Sequence, residues 1–147
     1  MYIDLRSNSL DNLTATQFLF EFSKKRVSAF EYAKSFVDRI EKYEKLLEAW
    51  VCFDLDALLK KAKKIDNAEI EINKFQLLGI PVGIKDIFNT LDFKTKYGSP
   101  IKYNPNPGND ARVVTSLKNS GALIVGKTTT AEFGIHSPPN TKNPLSF

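Results

Sequence analysis

The first third of the chain has apolar and polar residues spaced with the period of an α-helix. Thr14 and Gln17 form a capping box, in which two side chains bind backbone N–H groups at a helix start, and apolar residues follow at intervals of three or four. Ser28 and Glu31 form a second box before a longer helix that continues to about Leu47. A third helix, capped by the aspartate at position 54 or 56, is predicted to end near positions 66–67.

Three short apolar runs predict β-strands: residues 49–53, residues 77–84 with Lys85 at their end, and residues 122–125. Pro81 is expected near the start of the second strand, because proline cannot donate a hydrogen bond to a neighbouring strand. The third run is continuous, which is typical of a strand buried on both faces.

The stretch between the second and third strands predicts a helix, which Asp110 is expected to cap and Gly121 to follow. A strand, a helix and a strand in that order favour parallel pairing through a right-handed crossover. We therefore predict an α/β fold in which N-terminal helices precede part of a mixed, mainly parallel sheet flanked by helices.

Two segments lack regular periodicity. Residues 89–109 are rich in Gly, Pro, Asn and Lys and predict a long irregular connection. Connections of this length inside compact domains are usually functional or held by the rest of the fold. After the third strand, Thr129 and Glu132 form a third capping-box pattern, which predicts a short helical turn. Residues 136–147 contain three prolines and are expected to be extended.

The length, composition and net charge of the chain are those of an ordinary globular protein. A chain of 147 residues forms one core, and the net charge of +4 is mild. Its one dense basic cluster, the lysines between positions 60 and 64, has the spacing of a solvated helix face, so we expect no nucleic-acid partner. Cys52 is the single cysteine, interpreted as a small buried residue, and no disulfide within the chain is possible. Without a signal-peptide pattern or an apolar run of membrane-spanning length, we expect a cytoplasmic protein with no membrane contact.

Residues Gly121 to Thr128 match the phosphate-binding pattern G-x-x-x-x-G-K-[ST], but the match conflicts with the predicted structure. In a true P-loop the strand precedes the first glycine and the intervening residues wrap round a phosphate. Here the intervening residues are the most strand-like in the chain and a helix precedes them. We therefore expect no nucleotide binding at Lys127.

Lys85 is the residue that indicates chemistry, because it closes an apolar strand and Asp86 follows at once. Burial disfavours the charged form of a lysine, and a neutral lysine amine is a general base. A lysine at the end of a buried strand is therefore a candidate catalytic residue. The alternative interpretation is a lysine that extends into solvent. Asp86 is interpreted as structural, through hydrogen bonds to the turn that follows it.

The sequence resembles the amidase signature family of serine amide hydrolases in five segments that occur in the same order and at compatible spacing. These are residues 47–66, GIPVGIKD at 79–86, Gly98-Ser99, residues 110–128 and residues 132–144. The resemblance implies a catalytic triad of a lysine, a bridging serine and a nucleophilic serine. It assigns the lysine to Lys85, and it places Gly134 and Ile135 in a stretch that approaches the substrate pocket. It implies neither a metal nor an organic cofactor, and His136 is interpreted as a loop residue.

No serine of the chain stands in the Gly-Gly-Ser-Ser-Gly context that the family uses, so no nucleophile is assigned. We expect residues 1–147 to be the N-terminal part of a single amidase domain, truncated before the Gly/Ser-rich loop and inactive alone. The expected partners are a small-molecule amide, a C-terminal chain that completes the fold, and further copies of this chain through exposed strand edges.

Two alternatives stay open. One is a part similar to the A subunit of a glutamine-dependent aminoacyl-tRNA amidotransferase, although Thr129 stands where that protein is expected to have Asn. The other is a remnant without catalytic activity that acts at most as a binding module.

Overall fold

A computed structural model describes residues 10–68, 70–101 and 108–145. Within these ranges the chain forms four α-helices and three β-strands, joined by turns and three short 3₁₀ segments. In chain order the helices and strands are α1 (Ala15–Ser23), α2 (Ala29–Leu47), β1 (Trp50–Phe53), α3 (Leu55–Asn67), β2 (Pro81–Lys85), α4 (Arg112–Asn119) and β3 (Leu123–Thr128).

The first three helices begin where their capping residues predict. The side chains of Thr14 and Ser28 each accept a hydrogen bond from the backbone N–H three residues later. In return, the side-chain oxygen of Gln17 or Glu31 accepts from the backbone N–H of the capping residue. The oxygen of Asp54 accepts from the N–H of Ala57 at 2.8 Å and so caps α3. Asp66, at the far end of α3, accepts the first two N–H groups of α2, which ties the two helices together.

The sheet is mixed, in the order β1-β3-β2. The central strand β3 runs antiparallel to β1 and parallel to β2, and Pro81 occupies the first position of β2 as predicted. The close approach of β1 to β3 requires a glycine at position 126. A Cβ atom there would lie 2.2 Å from the carbonyl oxygen of Cys52. The side chain of Cys52 is a free thiol, and the residue is half-buried.

Hydrophobic packing covers both faces of β3, which confirms the prediction from its continuous apolar sequence. Leu123 and Val125 belong to the main core, formed with buried side chains of α1, α2 and α3. Ile124 faces the other way and packs with Ile84 and Val114, the latter from α4. The chain is therefore an α/β structure with helices on both sides of the sheet.

The predicted cap of α4 is wrong. The helix begins at Arg112, with Ala111 at the capping position and no side-chain cap. Asp110 instead accepts from the N–H of Leu91 at 2.7 Å and from Lys118 Nζ at 2.8 Å. Gly121 follows the end of α4 with φ +89°, the left-handed conformation expected of it.

Lys118 links α4 to two carboxylates on the preceding loops. Its ammonium group lies 3.0 Å from Asp92 and 2.8 Å from Asp110. Burial by itself would raise the pKa of Asp92, but the ammonium groups of Lys118 and Lys61 outweigh it and hold that pKa below its ordinary value. Burial would likewise lower the pKa of Lys118, and its bonds to the two aspartates raise it instead.

The predicted capping box of Thr129 and Glu132 is also wrong. The short turn exists, as the 3₁₀ segment Glu132–Gly134, but Ala131 precedes it without a side-chain cap. The hydroxyl of Thr129 is hydrogen-bonded to that of Thr141, which in turn donates to the carbonyl of Glu48 at 2.7 Å. These bonds hold the segment after β3 against the end of α2.

The long connection at 89–109 is irregular as far as Ile101 and again from Gly108, and the rest of it lies outside the described residues. The lysines at 60, 61, 63 and 64 are exposed, as the solvated helix face requires. Among the helices that the structure describes, none combines the length and apolar character needed to cross a membrane.

Candidate active site

The candidate site lies where β2 and β3 end side by side. Lys85 and Thr128 are paired at the last position of the parallel register, so the segments that follow them leave the sheet at the same edge. In open α/β sheets this carboxyl edge is where ligands are usually bound.

Lys85 is exposed, and burial of this lysine, which the sequence suggested, is not observed. Its side chain makes no hydrogen bond or ion pair with any residue in the described ranges. Its backbone carbonyl accepts from the N–H of Phe88 at 3.0 Å, which closes the turn after β2. The chain therefore presents a primary amine from the end of an ordered strand.

Asp86 is fully buried and points away from Lys85, since successive strand residues face opposite sides. Its carboxylate accepts from the N–H of Lys96 at 3.2 Å and from that of Gly98 at 3.5 Å. Its backbone donates to the carbonyl of Thr128 at 2.9 Å and accepts from the N–H of Tyr97 at 3.0 Å. The prediction that Asp86 is structural and bonds the following loop is consistent with these contacts.

Lys127 is the buried lysine of the site, and the sequence did not single it out for this role. It is fully buried, and its ammonium nitrogen lies 3.1 Å from Asp86. The same nitrogen donates to the carbonyl of Phe88 at 2.9 Å and to the hydroxyl of Thr95 at 2.7 Å. The P-loop pattern would have Lys127 bind a phosphate. In the structure its partner is the carboxylate of Asp86, as a buried charge requires a partner of opposite charge.

Two tight turns with left-handed backbone face each other beside Asp86. Tyr97 and Gly98 have φ of 58° and 64°, and Phe133 and Gly134 have φ of 50° and 82°. The N–H of Phe133 donates to the carbonyl of Tyr97 at 2.8 Å, and the two aromatic rings stack with centroids 6.4 Å apart. A Cβ atom on Gly98 would lie 2.6 Å from the carbonyl oxygen of Thr130, so the first turn is pressed against the end of β3.

Ser99 and Glu132 join the two turns through their side chains, since the Ser99 hydroxyl donates to the Glu132 carboxylate at 2.7 Å. A groove of about 330 Å³ opens beside this contact. It is lined by Lys96, Tyr97, Ser99, Ile101 and Phe133. The Gly-Ser segment singled out in the sequence therefore lies at the wall of a groove.

Gly134 and Ile135, the predicted substrate-binding residues, lie at the same edge of the sheet. A Cβ atom on Gly134 would contact Ile87, two residues after Lys85, at 3.9 Å. Ile135 is 80% exposed, and the neighbouring Phe133 is also exposed. The structure thus places both residues near the end of β2, and their role in binding stays a prediction.

The described residues hold no group of three His, Cys, Asp or Glu side chains that could bind a metal ion. The chemistry that the site offers is that of an amine, hydroxyl groups and backbone N–H groups, arranged at the carboxyl edge of a parallel pair of strands.

Comparison with known proteins identifies the class of this domain. The family model described as Amidase matches residues 31–146, and the chain belongs to that family.

Curated relatives include two proteins named as the A subunit of glutamyl-tRNA(Gln) amidotransferase. The one from Gloeothece citriformis is 42% identical over 115 residues, covering 78% of this chain and 24% of its own length. The one from Carboxydothermus hydrogenoformans is 37% identical over 137 residues, covering 92% of this chain and 28% of its own. The chain therefore spans about a quarter of the length of these relatives.

Among solved structures, one titled fatty acid amide hydrolase superposes with a TM-score of 0.74 at 27% identity. The match covers 92% of this chain and 25% of that one. The likeness extends through the helices and the sheet, so the predicted incomplete amidase fold is confirmed as the fold of this chain.

Proposed function

We propose that this domain takes part in the hydrolysis of a carboxylic amide C–N bond, with Lys85 as the general base. The observation that carries the proposal is the exposed Lys85 amine at the carboxyl edge of β2, where the next residue, Asp86, is hydrogen-bonded to Gly98 of the Gly98-Ser99 turn. The family match over residues 31–146 supports it.

In the proposed reaction a nucleophilic serine attacks the amide carbonyl and its proton passes through a bridging serine to the Lys85 amine. Protonated Lys85 then returns this proton, by the same bridge, to the leaving amine as the C–N bond breaks. Water hydrolyses the remaining ester, and the serine hydroxyl is restored. Backbone N–H groups would stabilise the negative oxygen of the intermediate.

The serine pair must come from a segment outside these 147 residues, because no Gly-Gly-Ser-Ser-Gly sequence is among them. We propose that such a segment completes the domain, either in the same polypeptide or in a partner chain. The nucleotide sequence after codon 147 tests this, since it is expected to encode Gly-Gly-Ser-Ser-Gly in the same or a neighbouring frame. Its absence from all frames would overturn completion by the same gene, and amide hydrolysis would then require the segment from a partner chain.

The activity test uses this chain together with the serine-bearing segment, a combination called here the completed domain. We expect it to release ammonia or amine from simple amides, and Lys85→Ala to lower kcat by at least about 10³-fold, because the general base is lost. Lys94→Ala, which removes another exposed lysine of the same region, is the matched control and should keep full activity. An active Lys85→Ala variant with a normal thermal melt would exclude Lys85 as the base.

A second candidate is one of the subunits of a glutamine-dependent amidotransferase. The identities of 42% and 37% to two proteins of that name favour it, against 27% for the amide hydrolase structure. It predicts that glutamine is the preferred amide and that further subunits stimulate its hydrolysis. A completed domain that cleaves alkyl or aryl amides but not glutamine, with or without further subunits, would exclude this candidate.

A further inference from the structure

A fully buried ion pair lies directly behind the candidate lysine. Lys127 and Asp86 are both 0% exposed, and their charged groups are 3.1 Å apart. The carbonyl of Phe88 and the hydroxyl of Thr95 also accept from Lys127 Nζ, at 2.9 and 2.7 Å. Together the three acceptors match the three N–H bonds of an ammonium group, so the pair is geometrically complete.

Stability alone is a weak reason to keep such a pair. Removing two charges from water costs several kcal/mol per ion, and apolar side chains of similar volume often replace a buried pair without loss. The partners of Lys127 also belong to one region, since Asp86, Phe88 and Thr95 all lie in the loop after β2. The pair therefore fixes a loop to the central strand.

That loop carries the parts of the candidate site. The backbone of Asp86, the residue after Lys85, is bonded to Thr128 on one side and to Tyr97 on the other, at 2.9 and 3.0 Å. The Asp86 carboxylate accepts a hydrogen bond from the N–H of Gly98, and the carbonyl of Tyr97 accepts one from the N–H of Phe133. A continuous set of short contacts thus runs from Lys127 to Lys85 and to both turns.

We propose that Asp86 and Lys127 are positioning residues for the amidase reaction. They set the direction in which the Lys85 amine leaves β2, and they hold the Gly98-Ser99 turn and the Glu132–Gly134 turn at a fixed distance from it. The inference deepens the proposed function and rests on it, because Lys85 is the group being positioned. A displacement of about 1 Å in a reacting group costs on the order of 10²-fold in rate.

The kinetic test compares three variants of the completed domain. Lys127→Met and the neutral double variant Asp86→Asn with Lys127→Met are each expected to lower kcat by about 10²-fold, with KM changed less than about threefold. Thr95→Val removes one acceptor and leaves the two buried charges paired with each other, so it should fold normally and lower kcat by about three- to tenfold. Lys74→Met is the control, since it removes an exposed lysine whose ion-pair partner, Glu71, is also exposed and lies outside the loop after β2.

A second readout does not depend on amidase activity. Amide hydrogen exchange, measured by mass spectrometry, is expected to be at least about tenfold faster in residues 86–99 and 131–135 of Lys127→Met, because the oxygen atoms that accept hydrogen bonds from their N–H groups are no longer fixed to the central strand. Exchange in α2 should stay as in the unmodified protein. Lys74→Met should leave both segments protected, because the ion pair of Lys74 with Glu71 is exposed and lies outside them.

The kinetic and exchange results together distinguish a failure of the positioning role from a failure of the proposed function. Faster exchange in the two segments together with an active Lys85→Ala variant would overturn the role of Lys85 in catalysis and hence the positioning role. A double variant that regains both melting temperature and kcat would show that the pair serves stability alone. Full kcat in a folded Thr95→Val variant, with unchanged exchange in all variants, would equally overturn the proposal.

Discussion

At the scale of single residues, the site depends on two lysines with different roles. Lys85 extends into solvent from the end of an edge strand, and Lys127 is buried in the central strand with a carboxylate and two further oxygen acceptors. The sequence located the first through its position after an apolar run. The interpretation of the sequence missed the second, because the partners of Lys127 lie more than thirty residues away in the chain. A lysine within an apolar strand, together with an aspartate at the end of another, is the signal that could have found it.

Among the glycines in the described part of the chain, Gly126 is the one at which an added Cβ atom would meet the closest neighbour. A Cβ atom there would lie 2.2 Å from the carbonyl oxygen of Cys52 and 2.7 Å from the Cα of Phe53, which are backbone atoms of the neighbouring strand. Gly126→Ala is therefore expected to destabilise the fold by about 3 kcal/mol or more, measured by urea unfolding.

Gly83→Ala is the matched comparison, because this glycine lies in β2 and a Cβ atom there would meet side-chain atoms, Thr128 Cγ2 at 2.8 Å and Trp50 Cη2 at 2.9 Å. Side chains can shift, so its cost is expected to be about 1–2 kcal/mol. If Gly126→Ala unfolded at the same urea concentration as the unmodified protein, the register between β1 and β3 would be wrong.

At the scale of elements, the sequence predicts those helix ends and strands that depend on residues close to one another in the chain. The caps of α1, α2 and α3 are bonds across three residues, and β3 is indicated by its uninterrupted apolar residues. The two wrong caps failed for one physical reason. Asp110 and Glu132 are both used by residues distant in sequence, Leu91 and Ser99, and no local pattern records such partners. The positive φ values of Tyr97 and Phe133 were not predicted for the same reason, since tertiary contacts hold these non-glycine residues in the left-handed conformation.

The contact of Lys118 with Asp92 and Asp110 anchors α4 to the loops before it. Lys118→Met is expected to lower the melting temperature by about 2–4 °C at neutral pH, which corresponds to about 1 kcal/mol for partly exposed ion pairs. Lys74→Met is the control, because the ion pair of Lys74 with Glu71 is exposed on both sides and should contribute nothing measurable.

The difference in melting temperature between the unmodified protein and Lys118→Met should depend on pH. The pKa of Asp92 is lowered in the fold, so its contribution is present above the ordinary aspartate range and is lost as the pH falls through the lowered pKa, below about 4. The pKa of Lys118 is raised, so its contribution is complete below the ordinary lysine value and is lost as the pH rises above about 10.4. A melting-temperature difference that persisted at pH 2 would contradict this assignment.

At the scale of the whole molecule, the described part of the chain exposes large apolar side chains beside an edge strand. β2 pairs with β3 on one side only, and Ile101 and Ile135 near its carboxyl end are 64% and 80% exposed. Exposed apolar surface next to an edge strand favours association.

The chain by itself is therefore expected to form concentration-dependent oligomers in sedimentation velocity. Ile101→Lys together with Ile135→Lys should shift it toward the monomer, because the added charges oppose contact at this edge. The same double change at two residues that are already polar and exposed, Thr115→Lys with Asn119→Lys, controls for net charge. A monodisperse monomer that unfolds cooperatively without any substitution would contradict the expectation and would favour a self-sufficient small domain.

The order of the strands also determines when the sheet can form during synthesis. β1 and β2 form no hydrogen-bonded pair with each other, because β3 lies between them, and about 40 residues separate the end of β2 from the start of β3. At about 5–20 residues per second, a ribosome takes several seconds to deliver that stretch. Throughout this interval two finished strands have no partner, and the helices α1, α2 and α3 are the only part able to pack. The nascent protein is thus expected to pass through a helical intermediate that needs protection from aggregation until the last strand emerges.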